Sequence, residues 1–210
     1  MLRKLIFTSS LACLSSLPTM AQEGGSDIGF DNFYTFAWDM NIPLGSDQYV
    51  TAPSYYGWKF EYRKMQRNNF SVGFDISWNS YYEYKSYQTY KVSENTDLTT
   101  DLYKYNYTIP MAITGHYYFT DLGNFVPYFG LGLGTVYSVP KIYVNYYEIS
   151  GDNWGFLMRP EIGTIIKFKE GSNMGMLVSA RYSYSTNKST SFKFNSIQSV
   201  GFQVGLCWML

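Results

Sequence analysis

The feature that most constrains this chain is an alternation, residue by residue, of apolar or aromatic side chains with polar or small ones. Between Tyr34 and Ile42 the even positions carry Tyr, Phe, Trp, Met and Ile, whereas the odd positions carry Thr, Ala, Asp and Asn. Successive side chains of a β-strand point to opposite faces of its sheet. The pattern therefore predicts a strand with one apolar face and one polar face.

The same alternation recurs in further segments of the chain. The eight predicted strands are residues 34–42, 56–63, 70–78, 103–119, 129–137, 156–168, 174–184 and 200–210. Single-chain bacterial membrane barrels have an even number of antiparallel strands. We therefore predict an all-β fold, an eight-stranded antiparallel up-and-down transmembrane β-barrel.

The composition agrees with a membrane barrel rather than with membrane helices. Aromatic residues make up 20% of the chain, and 22 residues are Tyr, yet no segment approaches the roughly 20 consecutive apolar residues that a membrane helix needs. A closed barrel crosses a membrane without such a segment because its strands satisfy one another's backbone hydrogen bonds. The apolar face is then expected to meet lipid, and the polar face the lumen.

The connections between the predicted strands are alternately short and long. Those at 64–69, 120–125 and 169–173 are short, whereas those at 43–55, 79–102, 138–153 and 185–195 are longer. In membrane barrels short turns face the periplasm and long loops face outward. We therefore expect both termini to be periplasmic. The long fourth strand, with Tyr82 and Tyr84 before it, predicts a hairpin that rises beyond the lipid.

Two prolines fall inside predicted strands, Pro110 in the fourth and Pro160 in the sixth. Proline lacks the backbone N–H that a strand ladder uses, and a closed barrel has no free edge to accommodate it. We therefore predict a bulge at each proline, with a possible one-residue slip of the faces on one side.

The N-terminus has the pattern of a cleaved signal peptide. Arg3 and Lys4 precede a mostly apolar segment, and Thr19 and Ala21 place small residues before a cut at Gln22. Residues 1–21 are thus predicted to be removed, and residues 22–210 to form one barrel domain. A lipoprotein signal ending at Cys13 is the weaker alternative, because Ser10 stands where a branched apolar residue is usual.

Charge and cysteine content exclude several classes of function. Without Arg3 and Lys4 the 16 basic residues fall to 14, against 16 acidic residues, so no nucleic-acid-binding surface is predicted. Cys207 is the only cysteine after residue 21, which rules out an internal disulfide. With one histidine and one cysteine far apart in sequence, neither a metal site nor a cofactor is expected.

The C-terminal segment 203–210 is similar to the β-signal read by the barrel-assembly machinery, with Gln203, Gly205, Trp208 and Leu210 at the matching positions. Together with the motifs at 109–110, 127–132, 159–163 and 180–184, the mature chain resembles the small outer-membrane β-barrel family of OmpX type and OmpA transmembrane-domain type. The resemblance implies the outer membrane of a Gram-negative bacterium, with its lipid and lipopolysaccharide as surroundings and the assembly machinery as a partner. Because the family includes adhesins and members of unknown role, it implies location more firmly than activity.

The predicted lumen face carries a balanced set of charges. These residues are Asp39, Lys59, Glu61, Arg63, Asp75, Arg159, Glu161 and Arg181. An eight-stranded barrel is just wide enough to be filled by side chains, and unpaired charges there are costly. We predict an ion-pair network that plugs the barrel, with a narrow gated pore as the alternative.

Tyrosines of the long connections are candidate contacts for an extracellular ligand of unknown identity. They are Tyr82, Tyr84, Tyr87, Tyr90, Tyr143 and Tyr146. Tyrosine is a favoured contact residue at interfaces, although an aromatic girdle and strand extension explain some of these positions. The prediction is a monomeric, non-enzymatic surface protein with no catalytic residues.

Two alternative interpretations of the sequence make different predictions about which side chains face inward. A lipid-modifying enzyme requires His116 to face the acyl chains, whereas its parity with Ala112 and Thr114 places it in the lumen. A soluble lipocalin-like barrel requires the apolar parity to face inward, and those apolar rows are too extensive for one small cavity.

Overall fold

The computed structural model describes residues 30–45, 48–67, 69–93, 96–119, 123–144, 147–169 and 171–210, without the side chains of 90–98. The predicted signal peptide at 1–21 and Tyr146 lie outside these residues. The strands are β1 (Asn32–Pro43), β2 (Trp58–Arg67), β3 (Phe70–Ser93), β4 (Thr96–Tyr118), β5 (Phe125–Val144), β6 (Tyr147–Ser150), β7 (Asn153–Lys167), β8 (Met174–Ser185) and β9 (Ile197–Met209). No helix in the described part of the chain is long and apolar enough to cross a membrane.

Eight of these strands form a closed antiparallel barrel. Each pairs with its neighbour in chain order, and β1 pairs with β9 from Phe33↔Met209 to Pro43↔Ser199. β6 is an addition to the outer end of β5. The prediction of an eight-stranded antiparallel up-and-down barrel is confirmed.

The two ends of the barrel differ. At the end that we call the turn end, Leu210 lies beside Asn32, whose backbone N–H donates to the Leu210 carbonyl at 2.7 Å. The short turns after β2, β4 and β7 lie at this end, and Gly123 and Gly171 adopt φ of 75° there. A positive φ costs glycine little because it has no Cβ. We call the opposite end, with the longer connections, the loop end.

Three strands continue far past the barrel wall at the loop end. β3, β4 and β5 have 24, 23 and 20 residues, and the β3–β4 pairing runs up to Ser93↔Thr96. We call residues 79–93, 96–108, 138–144 and β6 the extension. The predicted long loops at 79–102 and 138–153 are therefore largely strand, as the hairpin prediction required.

The predicted faces are found in the structure. The apolar parity is exposed on the outer wall, where Ile113 and Ile162 are 66% and 62% exposed, whereas the charged parity is buried in the lumen. β2 starts at Trp58 rather than at Tyr56. Just before it, the Tyr55 carbonyl accepts a hydrogen bond from the Trp38 indole at 2.7 Å.

The predicted bulges at the two prolines are wrong. Next to Pro110 the β3–β4 pairs resume at Asn79↔Thr108 in the same register as Ile76↔Met111, and Pro110 itself pairs with Val136 of β5. Pro160 shows the same arrangement. It pairs with Leu131 of β5, and the β7–β8 pairs skip it but continue in the same register, from Met158↔Tyr184 to Glu161↔Arg181. Each proline interrupts one ladder without inserting a residue, so the faces do not slip.

Candidate functional site

The candidate site is the barrel lumen, where the structure brings charged side chains from five strands together. All eight residues predicted for the network are at most 5% exposed, and each contacts an opposite charge. Their burial follows from strand parity, because the lumen-facing positions of a narrow barrel have no access to water.

Lys59 is at the centre of the network. Its ammonium lies 3.1 Å from Glu61, 3.1 Å from Glu161 and 3.5 Å from Asp75. These carboxylates come from three different strands, β2, β7 and β3. One cation therefore ties opposite walls of the barrel together.

Arg63 lies four residues closer to the turn end on β2 and binds two of the same carboxylates. Its guanidinium is 2.9 Å from Glu61 and 3.4 Å from Glu161. The same group lies over two aromatic rings, 4.3 Å from the centroid of Tyr128 and 5.1 Å from that of Phe33. Cation–π contact adds attraction where water is excluded.

Two members of the site were missed as network residues by sequence reasoning. The Tyr128 hydroxyl donates to Glu161 at 2.5 Å and accepts from Arg63 at 3.1 Å. His116, placed in the lumen as predicted, has its Nε2 3.3 Å from Glu61 and its ring edge-on to Tyr128. Tyr128 shares its parity with the lumen-facing glycines of β5, which is the signal that could have identified it.

Toward the loop end two further arginines pair with aspartates. Arg159 binds Asp75, and its other amino group is 3.5 Å from the Ser77 hydroxyl. Arg181 binds Asp39. Asp75 therefore contacts both Arg159 and Lys59, which connects this layer to the centre of the network.

Glu61, His116 and Glu161 are also a possible metal-binding group, since one ligand atom of each lies within 4.8 Å of the others. Sequence spacing did not predict this grouping. Lys59 and Arg63 already contact both carboxylates. A metal ion would have to displace these cations, so the geometry favours the ion-pair network.

The lumen is filled by apolar side chains at the turn end. This layer consists of Phe30, Phe33, Tyr118, Val126, Tyr128, Ile165, Leu177, Cys207 and Met209, with Met65 packed against it. A smaller group of apolar side chains, Ala112, Val136 and Leu157, is buried further toward the loop end. Apolar packing on the turn-end side shields the ion pairs from water.

The loop end is closed by the β1–β2 connection, which folds across the mouth. Tyr49 donates from its hydroxyl to the Lys141 carbonyl at 2.8 Å, and its ring packs edge-on against Phe192. The Thr51 backbone N–H donates to Glu83 at 2.8 Å. Burial, with a smaller contribution from Glu83, raises the pKa of the Tyr49 phenol above its ordinary value.

Little space remains between these layers. A cavity remains, lined by Asn41, Asn79, Tyr81 and Arg181 among others. The centre of a water molecule can occupy about 20 Å³ of it. That volume is enough for about one water. At this level the lumen is therefore largely filled by side chains.

The predicted contact tyrosines lie at different places on the extension. Tyr82, Tyr84 and Tyr143 point outward from the sheet, and Tyr82 and Tyr84 are 43% and 49% exposed. Tyr87 is 72% exposed and lies where the β3–β4 register shifts. The side chain of Tyr90 is not described.

The residues of the predicted assembly signal lie in β9 and just after it. Gln203 is buried in the lumen, whereas Trp208 and Leu210 are exposed on the outer wall. At Gly205 an added Cβ would lie 2.5 Å from the Ala37 Cα. Glycine at this position therefore lets β9 approach β1 closely where the barrel closes.

No family model matches the chain, and no curated protein matches it. Among solved structures, Neisserial surface protein A (NspA) is 16% identical with a TM-score of 0.52, and the alignment covers 90% of this chain and all of that one. Ail, the attachment invasion locus protein of Yersinia pestis, bound to the heparin analogue sucrose octasulfate, is 11% identical with a TM-score of 0.49, covering 86% and 97%. At these identities the likeness to NspA shows the fold alone, and the chain shares the closed barrel of that protein.

Proposed function

We propose that this chain is a non-enzymatic outer-membrane β-barrel of a Gram-negative bacterium, with a closed lumen, that acts as a structural or surface-binding protein. One observation carries the proposal: the barrel exposes its apolar side chains and buries its charges. A continuous apolar outer wall is unfavourable in water and favourable in lipid. A soluble barrel has the opposite arrangement.

We further propose that the turn end faces the periplasm, with both termini, and that the extension faces outward. The alternation of short turns with longer connections supports this orientation. The C-terminal segment with Gln203, Gly205, Trp208 and Leu210 would then be read by the barrel-assembly machinery. The protein would be a monomer, and the exposed tyrosines of the extension would meet its extracellular ligand.

Gel migration tests the membrane barrel most simply. The chain from Gln22 is folded into detergent micelles, and unheated and boiled samples are compared on dodecyl-sulfate gels. The expected result is a compact band that shifts on boiling, together with recovery of the natural protein in the outer-membrane fraction of cells. Folding in aqueous buffer without detergent or lipid would contradict the proposal.

Planar-bilayer recording tests the closed lumen. The expected result is silence, both in the natural protein and in the conservative variant Arg181→Lys. A narrow gated pore is the second candidate, favoured by Asp75, which contacts both Lys59 and Arg159 and so offers an alternative partner. Steady conductance that changes in Arg159→Ala would replace the closed barrel with that pore.

The position of His116 supports a non-enzymatic role. Its side chain is 1% exposed and faces the lumen charges, away from the outer wall. Lipid-modifying chemistry requires a reactive group that reaches the acyl chains. Mass spectra of lipid A from cells with and without the gene are expected to be identical, and a change in acyl chains would contradict this part of the proposal.

A further inference from the structure

The outward side of the extension carries a continuous set of aromatic rings. We call it the tyrosine face, and it consists of Tyr82, Tyr84, Tyr103, Tyr105, Tyr107 and Tyr143. The ring centroids of Tyr82 and Tyr105 are 5.0 Å apart, as are those of Tyr84 and Tyr103, and Tyr143 lies 5.7 Å from Tyr105. The six rings come from three adjacent strands and form one surface.

The height of the tyrosine face follows from its position along β4. The outward row from Tyr117 to Tyr107 spans ten residues, or about 26 Å along the barrel axis at the usual rise and a tilt of about 40°. That length matches the apolar band of about 25 Å that aromatic girdles flank in membrane barrels. Tyr105 and Tyr103 then lie about 5 and 10 Å above the band, at the level of the lipid headgroups.

The chemistry of the tyrosine face suits uncharged, hydroxyl-rich rings rather than phosphates. On the side of the sheet that carries these rings, the described cation is Lys141, whose ammonium is already bound by Glu148 at 2.7 Å. Lys85 and Lys104, next to Tyr84 and Tyr103 in the chain, have the opposite parity and lie on the other side. The Glu148 carboxylate also accepts from the Tyr143 hydroxyl at 2.8 Å. Phosphate recognition relies on available Arg or Lys side chains, whereas a Tyr ring offers an apolar face for the C–H side of a sugar and a hydroxyl for its rim.

We infer that the tyrosine face is a docking surface for the sugar rings of the glycolipid headgroups that surround the barrel in the outer leaflet. The inference rests on the proposed membrane location and deepens it, because it names the partner of the tyrosines. Three observations support it. The rings are continuous with the apolar wall, they lie at headgroup level, and the neighbouring cation Lys141 is paired with Glu148.

The test compares the unfolding of the barrel in nanodiscs of two compositions. One contains phosphatidylcholine and phosphatidylglycerol, and the other contains in addition rough lipopolysaccharide with its core sugars. The variant Tyr84→Ser/Tyr103→Ser removes two contacting rings, whereas Tyr84→Phe/Tyr103→Phe keeps them. Tyr147→Ser is the matched control, because Tyr147 is 77% exposed and lies on the other side of the same extension.

Lipopolysaccharide is expected to raise the urea midpoint of the natural protein and of Tyr147→Ser by the same amount. The increase should fall by at least half in the serine double variant and be largely kept in the phenylalanine variant. An equal increase in all variants, or an equal loss of stability in both kinds of nanodisc, would overturn the inference. The inference would also be overturned if phosphatidic acid, which carries phosphate without sugar, raised the urea midpoint by the same amount. It would be overturned as well if the natural protein were a dimer that dissociates in the serine variant.

If the proposed membrane location is itself wrong, the experiment gives a different result. In that case the natural protein would produce no compact, heat-modifiable band from either nanodisc, and the inference would fall with it. A folded, inserted protein that ignores lipopolysaccharide would overturn the inference alone.

Discussion

The hydroxyl of Tyr128 donates a 2.5 Å hydrogen bond to the Glu161 carboxylate in the middle of the barrel. Glu161 also binds Lys59 and Arg63, so a neutral side chain of β5 completes the surroundings of a charge on β7. A buried carboxylate that loses a donor retains its full desolvation cost. The lumen is therefore sensitive to single polar groups as well as to charges.

Tyr128→Phe is expected to destabilise the folded barrel by about 1–3 kcal/mol, because both Glu161 and Arg63 lose a hydrogen-bond partner at a buried position. Tyr118→Phe is the matched control. Its hydroxyl forms a hydrogen bond with the neutral Ser71 hydroxyl at 3.1 Å, so its loss should cost about 0.5–1.5 kcal/mol. Urea unfolding in vesicles measures both, and equal effects would show that the charged partners are unimportant.

Gly130→Ala is expected to destabilise the barrel by about 1–3 kcal/mol, as overpacking does. The new Cβ would lie 2.4 Å from Cδ2 of His116, which is buried and cannot move into solvent. Gly132→Ala, on the same strand and face, would meet Ala112 and Thr114 at an ordinary 3.5 Å and should be nearly neutral. If Gly130→Ala proves as mild as Gly132→Ala, the His116 position is wrong.

Ile113→Arg tests the lipid-facing wall. Ile113 is 66% exposed in the middle of the outward row of β4, and an arginine at the bilayer midplane costs about 2–4 kcal/mol in a membrane barrel. Ile149→Arg is the control, since Ile149 is 55% exposed but lies in β6 of the extension. Equilibrium unfolding in phospholipid vesicles should separate the two variants. Equal costs in free energy of unfolding would argue against a membrane that covers Ile113 and leaves the extension outside.

Tyr49→Ala should open the loop end, because it removes the contacts to Lys141 and Phe192 that hold the β1–β2 connection across the mouth. The reporter is Ser199→Cys, at a buried lumen position below that connection, in a Cys207→Ala background. A charged thiol reagent is expected to label the reporter at least tenfold faster in Tyr49→Ala. Tyr56→Ala, an exposed position of the same connection, serves as control, and equal labelling rates in the two would exclude this role of Tyr49.

The sequence by itself determined the faces of the strands. Alternation is a local property of the extended backbone, so Phe36 and Trp38 could be assigned to the wall and Asp39 to the lumen without any knowledge of their neighbours. The number of barrel strands, their antiparallel order and the hairpin above the barrel followed from the same alternation and from connection lengths. The eight charges of the lumen were identified in this way.

Only the tertiary structure decided which groups meet inside the lumen. Lys59 contacts carboxylates of β2, β3 and β7, and such contacts depend on how the strands are staggered around the closed barrel, which no local pattern encodes. His116 and Tyr128 enter the network for the same reason. The structure also decided the effect of Pro110, since a missing donor can be absorbed by a gap in one ladder while the ladder on the other side holds the register.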